Sequence, residues 1–281
     1  MKKKSMIVVI SSLMGLLVIF GFSINKKKVK IGDFVFIPGS SIAIKDKGVL
    51  SLDSYWISAH EVTNKEYNEF LADLKNKGKT KEYEICKVHN EKWITVLFKK
   101  YSLYSEYYSS HEAYATYPVV NISHEAAKLY CEWLTENCAD KTQLFRLPTK
   151  EEWIYAALGG CMHSNYSWGG NYLQNVSGMF LCNYKRIGDE YIHSDSENNL
   201  MIIPNKKDTF TSITAPVIFY WPNDYGLYNM CGNVAEMIDS NGIAMGGSWN
   251  STGYDVQVTS EFMYDAPNPF VGFRPVRVKK N

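Results

Sequence analysis

Apolar and polar positions divide the chain into stretches of different period. Residues 29–60 alternate weakly in short runs. Phe34-Val35-Phe36-Ile37 stops at Pro38-Gly39, and Tyr55-Trp56-Ile57 follows, which predicts short strands separated by turns. From Thr63 to Gly160 a helical period takes over. Thr63 and Glu66 form a capping box ahead of Tyr67, Phe70 and Leu71. Ser123 is placed to cap a helix whose Leu129, Tyr130, Trp133 and Leu134 share one face. Thr149 and Glu152 form a second capping box, opening a helix through Trp153, Tyr155 and Ala156 that ends at Gly159-Gly160. Beyond residue 160 that period disappears. Gly, Asn, Asp and Ser recur every few residues around brief apolar patches, so this stretch must be held by loop packing, buried aromatics or bound cations. Residues 76–117 are polar and Tyr-rich and read as a long insertion. No repeat or Pro/Ser linker divides the chain, which predicts one mixed domain over 29–281.

The first residues change the picture. Lys2, Lys3 and Lys4 precede an uncharged apolar run from Met6 to Ile24, and Lys26, Lys27 and Lys28 follow it. A run of about twenty residues is long enough to cross a bilayer, and the leading lysines favour a cytoplasmic N-terminus. Gly21-Phe22-Ser23 also offers a small-x-small cleavage signal. Residues 1–28 are therefore expected to be a signal peptide or an N-terminal membrane anchor. Either places the domain on the outer side of the cytoplasmic membrane, in the periplasm or at the cell envelope. No Cys lies near the end of the run for lipid attachment. The net charge of +1 gives no reason to expect nucleic acid as a partner. Six cysteines are spread without CxxC or metal-ligand spacing, leaving disulfides and buried free thiols both open. Twenty Tyr and seven Trp suit a loop-heavy aromatic core, or a sugar- or peptide-binding face.

Eight strings then occur in a telling order: "FVFIPG" (34–39), "YWISAHEVTNKEY" (55–67), "YPVVNISHEAAKLYCEWL" (117–134), "FRLPTKEEWIYAALGG" (145–160), "YSWGGN" (166–171), "NDYGLYNMCGNVAEM" (223–237), "MGGSWN" (245–250) and "VGFRPVRV" (271–278). In these the chain resembles the sulfatase-modifying-factor, or formylglycine-generating enzyme, family. The resemblance implies a loop-rich α+β fold related to C-type lectin domains, with few helices and short antiparallel strands. The segment 92–120 is also similar to one found in gliding-motility and type IX secretion lipoproteins that carry this domain, although the lipid-attachment Cys of those proteins is missing. Envelope or secretion proteins are the partners that likeness implies.

The resemblance also implies calcium. One family site maps onto the side chains of Asn183 and Asp208 with the carbonyls of Tyr184 and Phe210. The other maps onto the side chains of Asn229 and Glu236 with the carbonyls of Gly232 and Val234. Each set mixes a carboxylate, an amide and backbone oxygens, which suits a hard cation needing six to eight oxygens. The competing account is that Asn229, Asn233 and Glu236 merely shape turns. Copper is a different matter. Oxidase members of the family hold it with two cysteines after the "GGS" motif to convert a substrate cysteine into formylglycine. Counting from Ser248, those positions are Ser251 and Val256 here. A hydroxyl is a poor Cu(I) ligand and a Val side chain is none. No Cys follows Cys231, and the Trp of the family's "GNVWE" is Ala235. Cys131 matches a position that can be disulfide-bonded in relatives, but Pro275 stands at the partner site.

Other chemistry is thin. The six histidines show no HxxxH spacing, and no G-x-S-x-G elbow or phosphate loop appears. A ligand-facing groove after the "GGS" motif is the surface the resemblance implies, with Ser248, Ser251, Tyr254 and Arg274 as candidate contacts. The expectation is thus a noncatalytic binding or scaffolding protein at the envelope. An enzyme working without the cysteine pair and a lectin-like display module stand as alternatives.

Overall fold

The computed structural model describes residues 33–44, 48–95, 102–161, 163–186, 191–194, 200–203 and 213–280. Strand β1 (Phe34–Ile37) opens it, followed by the hairpin strands β2 (Ser40–Ile44) and β3 (Gly48–Leu52) and by β4 (Tyr55–Ser58). Helix α1 (Asn64–Asn76) begins where the capping box placed it. Thr63 Oγ1 accepts from Glu66 N at 3.1 Å, and the Glu66 carboxylate accepts from Thr63 N at 2.9 Å. Helices α2 (Thr80–Cys86), α3 (Lys92–Thr95) and α4 (Ser102–Tyr107) occupy the Tyr-rich region. Ser123 caps α5 (His124–Asn137), which is followed by β5 (Gln143–Arg146). The second capping box opens α6 (Lys150–Leu158), and Gly159 ends it in the left-handed conformation at φ 58°.

Beyond α6 only short strands occur among the described residues: β6 (Tyr191–Ser194), β7 (Leu200–Ile203), β8 (Ala235–Met237), β9 (Ile243–Met245), β10 (Glu261–Met263), β11 (Val271–Phe273) and β12 (Val276–Lys279). They assemble by distant pairing. The sheet β1-β4-β12-β5 is antiparallel and sets Ile57 opposite Val276, so the two ends of the domain meet in one sheet. The sheet β10-β9-β8-β11 is antiparallel except where β11 runs parallel to β8, with Val271 opposite Ala235. This is the loop-rich α+β architecture the motifs implied.

Three aromatic cores fill it. α1 and α5 close on Tyr67, Phe70, Tyr130 and Trp133. α6 lays Trp153 against Ile57, Val276, Cys231 and Val256. The third core joins Trp93 and Tyr108 from the Tyr-rich region to Val120, Val234 and Trp249. Tyr108 also bonds Pro118 O at 2.7 Å and Thr214 Oγ1 at 2.8 Å. The described part of this region is therefore woven into the domain. Truncating a fully buried Trp such as Trp93 costs about 3–5 kcal/mol. All six cysteines are free thiols, which decides between the two options left by their spacing.

Candidate functional site

Between the second and third cores lies a solvent-free polar centre. The loop before β8 supplies it by adopting conformations that side chains rarely take: Asn229, Gly232 and Asn233 all have positive φ, at 53°, 77° and 64°. Asn tolerates this region better than most residues. Gly232 is required for a second reason, because a Cβ there would collide with the carbonyl of Asn183. Backbone bonds lock the loop in place. Gly232 N donates to Gly246 O at 2.8 Å, Asn233 N to Asn183 O at 2.8 Å, and Trp249 N to Asn233 O at 2.9 Å.

Four charged or amide side chains converge there with no solvent exposure: Glu61, Asn233, Glu236 and Arg274. Arg274 donates to both oxygens of Glu236, from Nε at 2.6 Å and from Nη2 at 2.6 Å. Its remaining donors reach the carbonyls of Ser58, Ala59 and Tyr228, tying β4 and the 228–234 loop to β11–β12. Trp153 Nε1 adds a bond to Glu236 at 2.7 Å. The second carboxylate, Glu61, accepts from Asn233 at 2.8 Å and from Asn229 at 3.2 Å. Asn233 is fully used, because its Oδ1 also accepts from Ala215 N at 2.7 Å. One guanidinium thus faces two carboxylates. Burial pushes the Glu61 carboxyl up to about 8, with Glu236 adding to the rise and Arg274 opposing it.

The expected groove is not assembled. Arg274 and Ser248 are both fully buried, Ser251 is nearly so, and only Tyr254 stands in solvent at 75% exposure. Arg274 is corrected to a structural ion-pair residue, because a guanidinium satisfied by two carboxylate oxygens and three carbonyls has no donor aimed at a surface ligand. Ser248 and Ser251 serve the turn. Ser248 N donates to Ser251 Oγ at 3.0 Å, and the two hydroxyls lie 3.2 Å apart. Val256 sits in the second core at 0% exposure. A hydroxyl engaged in its own turn and a buried isopropyl group do not fit a Cu(I) ion. Two thiols, Cys182 and Cys231, share that core with Val256. Burial pushes Cys231 up to about 11 and Cys182 well above the usual range.

The second calcium set is at least brought together. Asn229, Gly232, Val234 and Glu236 run through one loop into β8. Their oxygens are of the kind a hard cation takes. Glu236 would have to share its oxygens with Arg274, since both are already bonded. Of the first set, Asn183 is buried and touches the second loop through Asn233, with Tyr184 beside it, while Asp208 and Phe210 lie outside the described residues. Among the described residues no three His, Cys, Asp or Glu side chains cluster to hold a metal ion. His124 bonds Ile238 O at 2.8 Å and His111 caps the short turn Glu112–Tyr114, so both are structural. Glu61 was the residue that motif reasoning passed over. Its signal was an acid between an apolar strand and a helix cap, where a solvated partner is hard to place.

Comparison with known proteins meets this geometry. A family model described as sulfatase-modifying factor enzyme 1-like domain matches residues 22–279. The chain belongs to that family. A formylglycine-generating enzyme of Thermomonospora curvata is 36% identical over 120 residues, covering 43% of this chain and 32% of that protein. The bovine (Bos taurus) inactive C-alpha-formylglycine-generating enzyme 2 is 32% identical over the same length, again 43% of this chain and 32% of its own. The matched part thus spans about a third of these relatives. Among solved structures, CarF superposes with a TM-score of 0.59 at 18% identity, covering 88% of this chain and 98% of that one. PvdO from Pseudomonas aeruginosa gives 0.55 at 15% identity, covering 88% and 94%. At such identities the structures establish the fold alone.

Proposed function

We propose that this family member is noncatalytic and acts as a binding or scaffolding component at the cell envelope. The observation that carries this reading is the fate of the two positions where oxidase relatives hold copper. Ser251 closes a turn with Ser248, and Val256 fills the core. The rest of the scaffold is kept around them, as expected for a domain whose shape rather than chemistry is used. A relative named as an inactive formylglycine-generating enzyme supports this reading. The lysine-flanked run at residues 6–24 supports export and anchoring, and the likeness of residues 92–120 suggests gliding or type IX secretion components as the partner class.

Calcium belongs to the same proposal as a structural ion at Asn229, Gly232, Val234 and Glu236. The support is the donor set: an amide, two backbone carbonyls and a carboxylate fall within one loop and the strand it enters, beside the buried Glu61 carboxyl. The test of the functional reading is affinity isolation of the tagged full chain from its native envelope, followed by mass spectrometry of what it retains. Stoichiometric envelope proteins recovered unmodified fit a scaffold. A co-purifying protein altered at a single residue only when this chain is present would replace it with an enzyme.

A further inference from the structure

The loop 216–222 carries an apolar tip that the fold does not use. Ile218, Phe219 and Trp221 are 61%, 57% and 57% exposed, side by side, while Tyr220 between them is buried as a peg. The base is rigid. Val217 N donates to Thr116 O at 3.0 Å, Phe219 N closes a turn on Pro216 O at 3.0 Å, and Asn229 Nδ2 holds Val217 O at 3.0 Å. Three large apolar side chains held out by a braced turn form a preorganised patch, and such patches mark interaction sites. Its position narrows the occupant. Ile218 and Asp33 line the same groove of about 360 Å³. Asp33 is where the described chain begins, nine residues after Ile24, the end of the apolar run. Nine residues span at most roughly 32 Å, so a run lodged in a bilayer holds this face of the domain within reach of the bilayer surface.

We propose that Ile218, Phe219 and Trp221 dip into the outer leaflet of the membrane that residues 6–24 enter, fixing the orientation of the domain on it. The inference rests on the reading of that run as an anchor. Aromatic side chains with a polar edge, Trp above all, settle at the interface of lipid and water. Charge does not drive the contact. The groove beside the tip holds Asp33, Glu66 and Glu69 against Lys65, so neutral lipid suffices.

The test uses the full chain reconstituted in phosphatidylcholine vesicles, with or without bromine on the acyl chains, comparing wild type with Trp221→Phe. The emission difference between the two isolates Trp221 from the other six tryptophans. Brominated lipid should reduce that difference by about twofold or more, as for an indole at the interface whose ring reaches the upper ends of the acyl chains. Resistance to an alkaline wash reports the anchor separately. An unquenched Trp221 in chain that resists the wash overturns the inference and leaves the anchor standing. Quenching in chain that the wash strips supports the loop and removes the anchor. Stripping without quenching overturns both. A photoreactive residue at Phe219 that crosslinks to protein rather than lipid in native membranes assigns the patch to a protein partner and also overturns the inference.

Discussion

Residues 63–158 and residues 213–278 both bury large aromatic side chains, yet different forces bring them to order. In the first, the three main helices are each announced by a cap and by apolar residues at helical spacing, and packing follows from local shape. In the second, strands of three or four residues are too short to hold themselves. They are gathered by one arginine, two carboxylates and two asparagines whose bonds reach across more than two hundred residues of sequence. Local signals therefore build the first region, and a single polar centre builds the second. A change in the centre should be felt across the whole loop region, whereas a change at a cap should stay within its helix.

The sharpest way to break this contrast is Arg274→Ala. It leaves Glu236 buried and unpaired, and should cost about 3–5 kcal/mol in denaturant unfolding. Replacing both partners with apolar residues, Arg274→Met with Glu236→Leu, should cost less than the single change, because no stranded charge is left. If the double variant is the worse of the two, the pair is favourable in its own right and the centre is more than a filled space. Calcium chelation comes next. It should lower the melting temperature and speed hydrogen exchange in residues 213–278 before α1 or α5. Equal exchange with and without calcium removes the ion from the account.

In the calcium-free protein pH has a definite sign. The folded Glu61 keeps its proton up to about 8, while the unfolded carboxyl loses it near its ordinary value of 4.5. Between those two values the unfolded chain binds fewer protons, so stability falls as pH rises and then levels off. Bound calcium favours the carboxylate and should flatten that decline. The smallest effect belongs to the local region. Thr149→Ala removes one cap bond of α6 and should cost about 1 kcal/mol, with exchange rising only in the first turn of that helix.

The same contrast explains what could be read from the sequence. Thr63, Ser123 and Thr149 announced the three main helices because capping needs only neighbours three residues apart. Gly159 marked the end of α6 for the same reason. The parallel pairing of β11 with β8 and the closure of β1, β4 and β12 had no local signal. The polar centre was half visible. Asn229 and Glu236 stood out within a loop motif, while Glu61 lay 168 residues from Asn229, beyond any spacing rule. Arg274 was named with a groove because the family resemblance implied one, yet burial depends on what folds over it. The packing of the Tyr-rich stretch was hidden for the same cause, since Trp93 and Tyr108 find their partners at Val234, Trp249 and Thr214.

The central claim, a retained scaffold whose copper ligands are gone, is tested most directly by incubating the purified full chain with Cu(I), oxygen and a peptide bearing the cysteine that oxidase relatives convert. Mass spectrometry then follows that cysteine. The account predicts that it survives unchanged, at the level of a protein-free control. Enzyme-dependent appearance of formylglycine would contradict it, and would require copper to be held by groups other than Ser251 and Val256.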